Sequence, residues 1–232
     1  MFSTVLAFDT STSLCSVAVF VEQTIYQQVQ VAQHNHSRLL LPMIDAVLSE
    51  AKLSLEDIQG IAYGQGPGSF TGVRIAASTA QGLAFGRQLP TLGCSSLSML
   101  AYPVLQARSD IMHIFCALDA RMNEVYFAHF ECHGDRIHLI GEERLMTPSA
   151  VQTYIAQYAN QASVCVGEGF QAYPNIIQSD LIVTELMDQD LNLPQASSIL
   201  AMLQTANPEQ WLAAHLIKPM YLRNSVIQSS SK

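Results

Sequence analysis

The stretch GIAYGQGPGSFTGVRIAASTAQGLAF, residues 60–85, constrains the fold more than any other part of this 232-residue chain. It sets six glycines and a proline around a turn that leaves a short apolar run and enters a helical one. A buried strand over Ile58–Tyr63, a tight turn and a helix from about Phe70 to Phe85 form a strand–turn–helix unit of a layered α/β protein. Such turns often hold phosphate, because the free amides at a helix start point outward and favour negative charge. Two known phosphate motifs fail here. GxxxxGK[ST] needs a lysine and a hydroxyl that this turn lacks, and Thr71 stands where GxGxxG would place its last glycine. The backbone amides remain able to attract an anion. The other reading is a tight crossover that seats the helix close to the sheet, with Arg74 facing an anion or a partner's carboxylate.

The segments around this unit fall into a definite order. Val5–Asp9 is short and apolar, Leu14–Val21 follows the turn TSTS, and Thr24–Val31 alternates, which predicts a three-stranded meander. A helix is expected from about His36 to Leu53, and Ser54 with Asp57 forms a capping-box pattern. After the glycine turn and its helix come a short strand at Leu89–Leu92 and a third helix opening at SSLSMLAYPVL. Strand-strand-strand-helix-strand-helix-strand-helix is the order of a ribonuclease H-like domain.

The second part opens the same way. Ile111–Leu118 is a strand, Glu124–Cys132 and Arg136–Glu142 form a hairpin across HGD, and Thr147-Pro148 starts a helix reaching about Asn160. Ser163–Val166 is one more strand. Each half begins with an apolar strand ending in aspartate, LAFDTS at Asp9 and CALDAR at Asp119. The expected architecture is α/β: two ribonuclease H-like (actin-like ATPase) domains with mixed sheets covered by helices. The first spans 1–105 and is completed by about 195–232; the second, shortened, spans 106–194.

Bulk properties exclude several functions. An apolar fraction of 49% against 13% charged residues describes a globular chain, and no apolar run reaches the ~20 residues of a membrane helix. The N-terminus has neither a basic leader region nor a small-residue cleavage site, so a cytoplasmic protein without membrane contact is expected. Five dispersed cysteines without CxxC fit buried thiols in a reducing compartment. The net charge is −8 with three lysines, which opposes direct binding of nucleic acid.

No catalytic set emerges from the motifs. Asp9 in DTSTS occupies the place of the magnesium-linked aspartate of actin-like ATPases, with Ser11 where glycine is usual; a hydrogen-bonded turn aspartate is the alternative. Asp9, Ser11 and Asp119 are therefore only weak nucleotide candidates, and no cofactor or metal is expected. His129 and His133 in HFECH lie on a strand, where four residues span roughly 13 Å, too far for one metal. His34 and His36 precede a helix and read as solvent or interface groups. There is no GxSxG elbow or HExxH, so a peptidase has no visible machinery. An ATP-dependent enzyme using Asp9 and Asp119 is the stronger enzymatic rival.

A positive signal comes from two helices. On the first, Leu39, Leu40, Leu41, Met43, Ile44, Val47 and Leu48 spread over an arc of about 200°, whereas one core face needs about 100°. On the second, Gly72, Ala76 and Ala80 form a small-residue stripe. Tight packing on the sheet and an exposed interface are both open for that stripe; together the helices point to an apolar interface.

GQGPGSFTGVR at 64–74, LAFDTSTSLCSVAV at 6–19, HSRLLLPMI at 36–44, LDARMNEVY at 118–126 and PMYLRN at 219–224 resemble the TsaB (YeaZ) family over nearly the whole chain. That family comprises bacterial accessory paralogues of the tRNA threonylcarbamoyltransferase TsaD. The resemblance implies an actin-like ATPase fold without catalytic equipment; the HxxxH metal motif of TsaD-like enzymes has no equivalent here. It implies pairing with a TsaD-like paralogue through the first two long helices, recruitment of a TsaE-like ATPase, and a homodimer on the same surface when alone. Transfer RNA would be met only through the complex. The interface expected from these readings comprises His36, Leu40, Met43, Val47, Arg74, Ala76 and Ala80.

Overall fold

The computed structural model describes residues 2–22, 24–177, 192–203 and 208–223. The first sheet holds β1 (Thr4–Asp9), β2 (Leu14–Val21), β3 (Thr24–Val31), β4 (Gly60–Gly66) and β5 (Thr91–Ser95), in the order β3-β2-β1-β4-β5. The meander pairs are antiparallel, whereas β4 joins β1, and β5 joins β4, in parallel. β1 lies in the middle and is buried along its whole length, so it reads as an unbroken apolar run rather than an alternating one. β3, at the edge, is mostly exposed.

Helices cover both faces of this sheet. α1 (His36–Glu50) and α2 (Phe70–Arg87) pack on Leu6, Phe8, Val17 and Val19. α3 (Ser96–Ala107) and the late helix α6 (Ala196–Met202) cover Val5, Ala7 and Ala18 on the other face. The amide of Ala196 donates to the Ser16 hydroxyl at 2.9 Å, tying α6 to β2. Further on, Leu212 exchanges backbone hydrogen bonds of 2.8 Å with Thr91 and covers part of the β5 edge.

The second sheet contains β6 (His113–Arg121), β7 (Glu124–His133), β8 (Arg136–Leu139), β9 (Arg144–Met146) and β10 (Ser163–Val166). Its path β8-β7-β6-β10 repeats that of the first sheet without the last strand, and β9 also pairs with β7. The duplication is thus visible in the strand order. α3 covers one face through Leu97, Leu100 and Val104, so this single helix packs on both sheets. α4 (Pro148–Ala156) and the short α5 (Glu168–Ala172) cover the other face around Phe115 and Phe127.

Local chemistry sets most element ends. Thr147 caps α4 through the amide of Ala150, and Ser54 with Asp57 forms the expected capping box, here on a single 3-10 turn. α2 runs to Arg87 because Gln88, at φ 53°, supplies the left-handed stop. α1 ends earlier than expected, where Lys52 turns left-handed at φ 56°. The expected strand at 136–142 is shorter, ending as β8 at Leu139 before the left-handed Gly141 (φ 73°), and β9 beyond it is a strand that the sequence reading did not include; both pair with β7.

The largest correction concerns the helix surfaces. Leu40, Met43 and Val47 of α1 and Ala76 and Ala80 of α2 are 0–2% exposed and belong to the first core. The apolar arc of α1 is wide because the helix lies across β2 and β3 and also meets α2. Only its margins leave the core: Leu39 is half-buried and Leu41 is 52% exposed. The small-residue stripe of α2 lets its backbone sit close to the sheet. His36 is likewise buried, its Nε2 at 3.2 Å from the Leu14 carbonyl oxygen, so it anchors the helix start rather than facing a partner.

Candidate functional site

The glycine turn and the turn between β1 and β2 lie against one another. The Ser69 amide donates to the Ser11 carbonyl at 2.7 Å, and the Thr10 hydroxyl donates to the Gly72 carbonyl at 2.7 Å. Glycine is needed for this approach: a Cβ at Gly64 would collide with the Asp9 carboxylate, and one at Gly72 with the Thr10 carbonyl. Ser69 spends its side chain capping α2 through the Gly72 amide. The helix-start amide of Ser69 and the β1–β2 turn that could both have met a phosphate therefore meet each other.

Asp9 is closed inside this contact. It is fully buried, and its Oδ2 accepts the amide of Ser11 at 3.1 Å and the Ser11 hydroxyl at 2.9 Å. Its Oδ1 has no hydrogen-bond partner among the described residues. Burial pushes the carboxyl up to about 7 against the opposing pull of the Ser11 bonds. Ser11 accepts a further bond of 3.0 Å from Ser96 at the start of α3. The neighbouring Ser95 hydroxyl donates to Glu143 of the second half, whose carboxyl is raised by burial.

Asp119 has a different setting. Its Oδ1 accepts the Arg121 amide at 2.8 Å and the Tyr173 hydroxyl at 3.3 Å, and its Oδ2 pairs with the Arg121 guanidinium at 3.1 Å. Arg121, Met122 and Asn123 all adopt left-handed φ between 57° and 62°. Asp119 holds this turn locally, and among the described residues no contact joins it to Asp9. Asp9 has no face open to solvent in this arrangement.

HFECH lies on β7 as the strand reading requires, with His129 buried and His133 exposed. His129 belongs to a chain that the sequence reading missed. Its Nδ1 is 3.0 Å from the Tyr154 hydroxyl, its Nε2 is 3.0 Å from His113 Nδ1, and His113 Nε2 meets Gln161 Oε1. One set of neutral tautomers satisfies every bond: Tyr154 donates to His129, His129 to His113, and His113 to Gln161. Burial and the neighbouring His113 hold His129 down at about 4. The signal was the hairpin register, which sets His129 opposite Phe115, two residues from His113. Among the described residues no group of three or more His, Cys, Asp or Glu side chains is arranged to hold a metal ion.

Among the interface residues read from sequence, Arg74 alone is exposed. Its guanidinium lies 3.6 Å from the Phe70 ring centre, and its Nε donates to the Tyr221 hydroxyl at 2.7 Å. Phe70 and Tyr221 are themselves 58% and 46% exposed. Further along the outer side of α2 are Ser78, Gly82 and a largely exposed Phe85. Leu41 and Asp45 lie on the exposed side of α1. Two rings around an arginine beside exposed apolar side chains have the composition of a protein-binding surface.

The model of the TsaD family, described as tRNA N6-adenosine threonylcarbamoyltransferase, matches residues 20–229. The "tRNA threonylcarbamoyladenosine biosynthesis protein TsaB" of Escherichia coli is 36% identical over 96% of this chain and 95% of its own. The protein of the same name from Haemophilus influenzae is also 36% identical, over 96% and 94%. The chain belongs to the TsaB (YeaZ) family. The YeaZ structure from Pseudomonas aeruginosa superposes with a TM-score of 0.80 at 32% identity, over 95% of this chain and all of that one. The Pseudomonas aeruginosa protein thus shares the two-sheet ribonuclease H-like architecture found here. No helix among the described residues is long and apolar enough to cross a membrane.

Proposed function

We propose that this chain is a non-catalytic subunit for formation of N6-threonylcarbamoyladenosine in tRNA, binding a TsaD-like paralogue and acting with a TsaE-like ATPase. The names of its relatives support the pathway. The observation that carries the non-catalytic reading is the closed contact between the glycine turn and the β1–β2 turn. It buries the aspartate that an actin-like ATPase would present to magnesium, so that side chain has no face open to solvent. The acidic chain repels phosphates, so tRNA is met through the paralogue.

The partner surface moves outward from the residues read in sequence. It comprises Arg74 with Phe70 and Tyr221, the outer side of α2 to Phe85, and Leu41 on α1. Met43→Asp or Val47→Asp would bury a lone carboxylate in the first core and unfold it, so neither tests pairing. Phe85→Glu does, because the side chain is 75% exposed and contributes little to folding.

The test is reconstituted threonylcarbamoylation of tRNA with the paralogue, the ATPase and this chain or a variant. Asp9→Asn is expected to support the full rate, and Phe85→Glu with Arg74→Glu to lower it at least about tenfold while the fold is kept. Loss of the rate in Asp9→Asn, with the complex still formed, would overturn the non-catalytic reading.

A further inference from the structure

The aromatic–arginine cluster is assembled from two distant parts of the chain. Phe70 and Arg74 stand at the start of α2, whereas Tyr221 arrives on a segment without regular structure near the C-terminus. Residues 218–223 form a strap that passes from one half of the molecule to the other. On the first half, the Lys218 backbone is hydrogen-bonded to the Tyr63 hydroxyl, and the Met220 amide donates to the Gln65 carbonyl at 2.7 Å. Three residues further on, Arg223 is anchored on the second half. Its Nη2 donates to the Ala120 carbonyl at 3.1 Å and to Glu124 at 2.7 Å, and its Nη1 lies 2.8 Å from the Met122 sulfur. The Arg223 side chain is only 18% exposed, which makes its pairing with Glu124 firmer than an ion pair in open solvent. The turn it grips contains the three left-handed residues that Asp119 also holds. Such a run persists where its surroundings fix it, so the anchor is rigid.

Tyr221 therefore lies between one anchor on each half. Among the described residues neither its amide nor that of Leu222 donates a hydrogen bond, so the two anchors and the contacts of the ring set its place. We infer that Arg223 is a positioning residue for the docking surface. By tying the strap to the second half it delivers the Tyr221 ring to Arg74, and the cluster is complete only while the two halves keep this relation. Without Tyr221, the Arg74 Nε loses its acceptor and the guanidinium keeps one ring, Phe70, instead of two. Docking must then order an arginine that is otherwise ordered in advance. The second half thus governs partner binding through the strap. By linkage, a partner that engages the completed cluster also steadies the two halves. This consequence for binding rests on the docking surface proposed above; the delivery of Tyr221 does not.

Delivery is tested on the full chain alone, labelled with 3-fluorotyrosine. Of the signals from its eight tyrosines, the one lost in Tyr221→Phe belongs to Tyr221. Arg223→Gln is expected to move that signal toward the position of an unstructured tyrosine, with unchanged circular dichroism. A signal that keeps its position would overturn the assignment. The consequence for binding is read from the dissociation constant for the TsaD-like paralogue, measured by calorimetry. Arg223→Gln is expected to raise it at least about fivefold in the otherwise unsubstituted chain, and less than about twofold in Tyr221→Ala. Equal losses in both backgrounds would mean that Arg223 acts on the fold or on the partner directly, and would overturn its positioning role. If Arg223→Gln fails to fold, Glu124→Ala replaces it in both measurements, since it removes the charged acceptor from a side chain that is 33% exposed. Pairing that survives Phe85→Glu combined with Arg74→Glu would instead contradict the docking surface, and the fluorine signal would still decide the role of the strap.

Discussion

Asp9 keeps a carboxylate where the surrounding structure gains little from it. The folded pKa of about 7 lies above the ordinary 3.8, so the native chain holds a proton that the unfolded chain has released. Its stability contribution is complete below about pH 4, falls as the pH rises toward 7, and is constant above. Asp9→Asn removes this dependence. Urea unfolding from pH 4 to pH 8 is expected to favour the asparagine chain progressively, by about 4 kcal/mol at the upper end. Parallel curves for the two proteins would contradict the buried-carboxylate account. Gly72 makes the complementary point. Glycine to alanine within a helix ordinarily stabilises by about 1 kcal/mol, but here the added Cβ meets the Thr10 carbonyl. Gly72→Ala is therefore expected to destabilise by about 2–3 kcal/mol in the same measurement. The sequence marked both residues as special without revealing why. The glycines looked like a ligand cradle, and only the fold shows that they receive the neighbouring turn.

At the scale of the element, α1 shows where sequence periodicity stops. The helix, its buried residues and its wide apolar arc were all legible in the spacing of Leu40, Met43, Ile44, Val47 and Leu48. How much of that arc the chain itself would cover was not, because the answer depends on how α1 lies across β2 and β3 and on α2, which is set by distant residues. The five buried side chains each contribute about 1.5–3 kcal/mol to folding rather than to association. β7 carries a second prediction. His129, held at about 4 by burial and by His113, gains a proton on unfolding at any pH between 4 and 6.5. Stability is complete above pH 6.5 and is lost as the pH falls toward 4. Glu131 on the same strand opposes that lowering, whereas Arg144 on β9 adds to it. Replacing His129 with Gln should flatten this acid limb by on the order of 2 kcal/mol, read from urea midpoints at pH 4.5 and 7. An unchanged limb would assign the acid sensitivity elsewhere.

For the whole molecule, duplication was the most legible property. LAFDTS and CALDAR announced two halves, and the strand orders β3-β2-β1-β4-β5 and β8-β7-β6-β10 repeat one plan. The shared helix α3 was not legible, since nothing in SSLSMLAYPVL tells that its opposite faces serve different sheets. Nor was the ring of Tyr221 beside Arg74, a contact across 147 positions of sequence that no local pattern encodes. Residues 178–191, 204–207 and 224–232 lie outside the described structure, as do the parts of the expected domain spans that cover them. What the fold shows is a ribonuclease H-like plan in which the glycine turn meets the β1–β2 turn beside a buried Asp9, next to a helical surface carrying an aromatic–arginine cluster. The central claim, that this chain works by docking onto a TsaD-like paralogue, is tested most directly by light scattering during size-exclusion chromatography of the two proteins mixed. A complex containing equal numbers of both chains, lost when Phe85→Glu and Arg74→Glu are combined, is the expected result. Two unchanged peaks at the masses of the separate proteins would contradict it.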